Sequence, residues 1–268
     1  MVKYLVVIAF VMFGSSLYAQ KIKFVATDSL IGDYDQFSVD NFGRIYLTHE
    51  DVIVVFSKEL DTLFTASLKS IRPTYIESSK SFRTLIFDEE RSLIQFLDNT
   101  GTPIRDQIDL VSLDIQQPIL VCESFGGNTI WVLDAGNLRL IKINEKLQKV
   151  LITENLVTIF DGDNLPIQMK ESNDYLLVLI PGEGVAKFDV FGTYVDTYPC
   201  KAESIDAMGN YLFVRTSKTL EIIPLDGLME PEYVYDIPED VLSFAYTRSN
   251  VYMKKKNGLY IGNYIKTN

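Results

Sequence analysis

The 268-residue chain has one histidine, one tryptophan and two cysteines. One histidine excludes a multi-histidine zinc site. Two cysteines do not make a disulfide scaffold, and a chain of this size buries a sufficient core without one. Only 15 glycines and 9 prolines are present, which excludes a collagen-like repeat. Basic side chains are the minority: 25 Lys and Arg against 36 Asp and Glu give a net charge of −11. That field repels a polyphosphate, so nucleic-acid binding is not expected. The sequence has no glycine-rich phosphate loop, no Cys-x-x-Cys pair, no Rossmann fingerprint and no Gly-x-Ser-x-Gly elbow. No apolar run reaches the ~20 residues that a helix needs to cross a bilayer, so an integral membrane protein is not expected. Hydrophobic residues at 47% and charged residues at 23% are ordinary for a globular chain and exclude intrinsic disorder.

The first residues read as an address. Lys3 precedes a nearly unbroken apolar run from Tyr4 to Phe13, Gly14-Ser15-Ser16 breaks it, and Leu17-Tyr18-Ala19 offers a small residue before Gln20. That is the layout of a secretory signal peptide over residues 1–19, cleaved after Ala19. Residues 20–268 are then one exported domain, periplasmic or secreted.

The body of the chain is repetitive. Asp40-Asn-Phe-Gly-Arg-Ile-Tyr-Leu47 is a turn feeding a strand, because Asn and Gly form turns and the β-branched and aromatic residues suit a pleated surface. The figure recurs at Gly126–Val132, Asn173–Val178, Gly209–Val214 and Ser249–Met253, and loosely at Phe82–Phe87. Tyr46, Leu85, Trp131, Leu176, Leu212 and Tyr252 hold the same place in each, at spacings of 39, 46, 45, 36 and 40 residues. Their mean is about 41, the length of a four-stranded propeller blade. A second strand follows each figure, as in Leu138-Arg-Leu-Ile-Lys-Ile143, then a turn and a polar outer strand. An inner strand precedes five of the six. The expected fold is all-β: a six-bladed β-propeller with four antiparallel strands per blade. The sixth unit lacks room after Gly262 for an outer strand, and Ile22–Val25 is expected to fill that place and close the ring.

Asp40, Gly43, Ile45 and Tyr46 resemble the Asp-x-x-Gly-x-Ile-Tyr figure of NHL-like six-bladed propellers, and the degenerate repeats and Tyr-Ala-Gln signal ending resemble secreted Bacteroidota proteins. The resemblance implies a protein-interaction module, such as an accessory subunit of an outer-membrane assembly or type 9 secretion complex. It also allows a metal-dependent lactonase-, esterase- or lyase-like enzyme, or a glycan-binding module with exposed aromatics in one groove.

The residues favour the non-catalytic reading. His49, near Glu50 and Asp51, has no partner set for catalysis, and the loop carboxylates Asp88-Glu-Glu90, Asp134, Asp161, Asp163 and Glu183 read as solvated turns. No catalytic residue, metal or cofactor is expected. Cys122 and Cys200 fall a blade apart, too far to bridge. Tyr34, Arg72, Tyr75, Arg91, Phe160 and Tyr198 map to loops or loop edges. Exposed aromatics and arginines are enriched in protein interfaces, so these six are the candidate partner-binding residues.

Overall fold

The computed structural model describes residues 22–266, leaving out 70, 79–82, 127–128, 161–163, 228 and 249. The proposed signal segment, 1–19, lies outside the described residues. Strand β1 (Ile22–Ile31) runs first, and five meandering sheets come after it. Blade 1 is β2 (Gln36–Val39), β3 (Ile45–His49), β4 (Val52–Phe56) and β5 (Thr62–Ser67). Blade 2 is β6 (Tyr75–Glu77), β7 (Arg83–Asp88), β8 (Leu93–Asp98) and β9 (Ile108–Asp109). Blade 3 is β10 (Pro118–Glu123), β11 (Thr129–Asp134), β12 (Arg139–Asn144) and β13 (Lys149–Ile152). Blade 4 is β14 (Gln168–Ser172), β15 (Tyr175–Ile180), β16 (Gly184–Asp189) and β17 (Tyr194–Pro199). Blade 5 is β18 (Ser204–Met208), β19 (Tyr211–Arg215), β20 (Thr219–Pro224) and β21 (Tyr233–Asp236). Blade 6 is β22 (Val241–Tyr246), β23 (Val251–Lys255) and β24 (Gly258–Lys266), with β1 as its outermost strand.

The first strand of each blade lines the centre, where β2, β6, β10, β14, β18 and β22 succeed one another around the ring. Burial falls outward. β15, Tyr-Leu-Leu-Val-Leu-Ile, is buried from Leu176 to Ile180 because neighbouring blades cover both its faces, so its sequence is a continuous apolar run rather than an alternation. The outermost β17 is exposed or half-buried throughout, and its sequence is polar and aromatic. The core is six apolar clusters between adjacent blades. One holds Trp131, Phe160 and Phe188, all with no exposed surface.

One local device recurs in the turns between third and fourth strands. The Oδ1 atoms of Asp98, Asn144 and Asp189 each accept N–H bonds from the residues two and four ahead, at 2.8–3.0 Å. Asp40 does the same between β2 and β3, and its Oδ2 accepts from Arg44 Nε and the Tyr46 hydroxyl. Gly43, at φ 80°, supplies the left-handed residue that this turn requires. The Asp-x-x-Gly-x-Ile-Tyr figure is therefore a self-closing turn.

The closing strand is longer than the sequence suggests. β1 pairs antiparallel with β24 from Ile22↔Lys266 to Ile31↔Gly258, with a bulge between Ala26 and Asp28. Gly262 sits where the two backbones approach closely: a Cβ there would lie 2.0 Å from the Val25 carbonyl oxygen. Blade 2 departs most from the repeat. Its inner strand has three residues and its outer strand two, so neither carries a readable pattern.

Candidate interaction face and central channel

In each blade the turns joining first to second and third to fourth strands lie at one end of the ring. The other turns lie at the opposite end. We call these the A end and the B end. Side chains on the inner strands tie each blade to the next. The Ser38 hydroxyl accepts the Ser78 N–H at 3.0 Å. Glu77 Oε2 accepts the Glu123 N–H at 2.7 Å. Glu171 Oε2 accepts the Phe125 N–H, Gln168 exchanges two bonds with the Ile205 backbone, and Asp206 Oδ2 accepts the Tyr246 N–H at 2.9 Å. One hydroxyl, three carboxylates and one amide are therefore structural links from blade 1 through blade 6. Basic side chains lie beside carboxylates here: Arg83 pairs with Glu123, and Lys142 Nζ lies 3.5 Å from the linking Glu171.

Lys170 does something different. Its ammonium reaches from blade 4 past blade 3 to within 4.0 Å of Glu77 on blade 2, and lies 5.0 Å from the centre of the Tyr75 ring. The Tyr75 hydroxyl is buried beside the Glu77 carboxylate. Burial, and next the negative charge of Glu77, hold its pKa well above the ordinary tyrosine value. Burial also raises the pKa of Asp206, partly offset by Lys170. These four residues line the floor of a cavity of about 1180 Å³ that opens at the A end, with Phe42, Phe125 and Arg248 also in its wall.

The A end also carries the exposed aromatics. Among the described residues, the exposed Phe and Tyr side chains are Phe42, Phe125, Phe191, Tyr194, Tyr211 and Tyr233. All six stand in A-end turns or on the first residue after one. Phe191, at the tip of the β16–β17 turn, is 73% exposed. Arg44 lies 5.8 Å from the centre of the Phe42 ring.

No protein-family model matches the sequence, and no curated protein does. Solved structures match the fold closely. The WD40 domain of Neurospora crassa Pan2 superposes with a TM-score of 0.64 at 13% identity, over 92% of this chain and 98% of that one. A streptogramin B lyase superposes at 0.62 and 12%, over 91% and 97%. BBS1N, solved in complex with ARL6DN, gives 0.60 and 15%, over 87% and 78%. The chain is a six-bladed β-propeller. At such identities the likeness carries the fold and leaves the activity open.

On this propeller the six sequence-predicted residues scatter. Arg72 and Arg91 come together at the B end, where their N–H groups share the buried Asp88 carboxylate at 3.0 and 3.1 Å. Tyr34 is half-buried against the core between blades 6 and 1. Tyr75, expected on a loop edge, is on inner strand β6 with its hydroxyl in the channel floor. Phe160, expected as an exposed anchor, has no exposed surface; it packs 5.8 Å from Phe188. Tyr198 lies on β17 and donates to Glu221 Oε2 at 2.7 Å. Burial, then that bond, raises its pKa.

His49 is exposed at the B end, 4.0 Å from the likewise exposed Asp35. Cys122 is buried and Cys200 half-buried. Among the described residues, no three His, Cys, Asp or Glu side chains are grouped to hold a metal. The A-end aromatics escape sequence reasoning because turn residues carry no periodicity. Their signal is a Phe inside an Asp-x-Phe-Gly turn at Phe42, with a related Asp-Val-Phe-Gly turn at Phe191.

Proposed function

We propose that this propeller is an exported, non-catalytic module that binds another protein through its A end. One observation carries the reading: all six exposed Phe and Tyr side chains among the described residues stand at that end, two of them, Phe42 and Phe125, in the wall of the channel. Tyr and Phe are enriched at interface centres because they bury much area at little entropic cost. Three channel carboxylates support it too, since Glu77, Glu171 and Asp206 each hold one blade to the next. Export rests on the signal-like residues 1–19, and on that basis the partner is a periplasmic or cell-surface assembly, such as an outer-membrane or type 9 secretion complex. The test is a native pull-down from membrane extract with mass spectrometry, alongside metal analysis of the purified protein. A partner captured by the wild type and not by a Phe42→Ala/Phe125→Ala variant is the expected result. Stoichiometric metal together with lactone or ester hydrolysis would replace this reading with the enzyme reading.

A further inference from the structure

A second cavity, of about 450 Å³, lies apart from the channel in the A-end cleft between blades 2 and 3. Its deep wall is apolar. Phe96, Ile108, Ile130 and Ile143, from β8, β9, β11 and β12, are buried there. Two arginines border the same space. Arg83, at the start of β7, is committed to the protein: its Nε pairs with the buried Glu123, and its guanidinium lies 4.6 Å from the centre of the Phe96 ring. Arg105, in the β8–β9 connection, is exposed, and its Nη1 donates to the Glu145 carbonyl at 2.9 Å. That bond anchors one edge of its guanidinium beside the cavity. Among the described residues Arg105 forms no ion pair, because the Glu145 carboxylate lies by Arg83 instead, at 3.5 Å. An apolar pocket of this size with a few placed polar groups has the form of a small-ligand site. A planar guanidinium takes a carboxylate through two parallel N–H bonds, and the apolar wall rewards buried hydrocarbon. A dianionic phosphate would bring a second negative charge beside Glu123 and Glu145, so a single carboxylate suits the cleft better.

We infer that this cleft binds a carboxylate carried on an apolar body, the body against Phe96, Ile108, Ile130 and Ile143 and the carboxylate on Arg105. Two sources share that chemistry: a free small acid, and the C-terminal residue of another chain with an apolar side chain. Neither Phe42 nor Phe125 lines the cleft, so the inference goes beyond the A-end reading and does not depend on it.

The probes are 4-phenylbutyrate and its neutral amide, and the peptide acetyl-Ala-Ala-Leu with a free or an amidated C-terminus, each titrated into the full chain by calorimetry or NMR. Saturable binding of at least one acid, at least about tenfold tighter than its own amide, is expected from hydrogen bonds to a charged group. Arg105→Gln, a change at an exposed residue, should weaken that binding at least about tenfold. Arg105→Lys keeps the charge but loses the planar fork, and should weaken it severalfold. Tighter binding of phenylbutyrate supports the inference and assigns the site to a free acid; tighter binding of the peptide supports it and assigns the site to a chain terminus. Acids that bind no tighter than their amides, no saturable binding of either acid, or unchanged binding in Arg105→Gln would overturn it. Partner capture by the Phe42→Ala/Phe125→Ala variant is read separately. Capture lost there with no acid binding to the wild type would keep the A-end reading and remove this site. Capture retained there with acid binding lost in Arg105→Gln would do the reverse.

Discussion

Asp88 shows how a single side chain organises a blade. It is 1% exposed at the end of β7, and its two oxygens hold the loop entering blade 2 and the turn after β7. Asp134 does the same in blade 3, accepting from Gln117 and Asn137 at 2.9 and 2.8 Å. Leaving two part-buried N–H groups unpaired costs about 1–3 kcal/mol. Asp88→Ala should therefore lower stability by that amount in a urea titration, and Asp88→Asn by less. Cys200 gives a second check. Burial raises its pKa to about 11, so at pH 8 little thiolate exists in the folded state. Alkylation of Cys200 should be slower than in the denatured chain by roughly 100-fold, because the thiolate is the nucleophile. A reaction equally fast in both states would contradict its placement. At this scale the sequence is legible where a residue bonds to its own neighbours, as Asp40 and Asp98 do. It is illegible where the partner is remote: the local context of Tyr75 or Phe160 does not say which blade lies beside it.

The closing strand is the decisive element. β1 covers the free edge of β24 over its whole length and packs Phe24 edge-on against Tyr264, ring centres 5.9 Å apart. Without it the last sheet would expose an edge and the apolar groove beside it. At roughly 25 cal/mol per Å² of apolar surface, a strand of this size contributes several kcal/mol, a large share of the ~5–15 kcal/mol that holds a domain folded. Deleting Ile22–Ile31 should lower the melting temperature by about 10 °C or more. Gly262→Val forces a Cβ into the Val25 carbonyl and should cost on the order of 3 kcal/mol. Gly126→Ala is its control, since nothing lies within 4 Å of the added carbon, and should be nearly neutral. Closure is readable because the sixth repeat ends one strand short. The boundaries of blade 2 are not, because strands of two and three residues are held by neighbouring blades rather than by their own pattern.

For the whole molecule, periodicity specifies the ring while the surface stays hidden. Repeat spacings near 41 residues record the core, where each blade must present the same apolar face to its neighbour. A binding face is under no such constraint, and it emerges only when turns far apart in sequence are brought to one end. Residue type alone favours Arg72 and Arg91, which the fold places at the B end; the structure favours Phe42 and Phe125 at the A end. These alternatives lie on opposite sides of the ring, so one comparison separates them. The measurement is the affinity of the captured partner for three proteins: wild type, Phe42→Ala/Phe125→Ala and Arg72→Ala/Arg91→Ala. Truncating two desolvated aromatic anchors costs about 2 kcal/mol or more, so the first variant should bind about twentyfold more weakly, or worse, and the second within about twofold of wild type. A partner that leaves the aromatic variant unaffected and loses the arginine variant would contradict the A-end assignment.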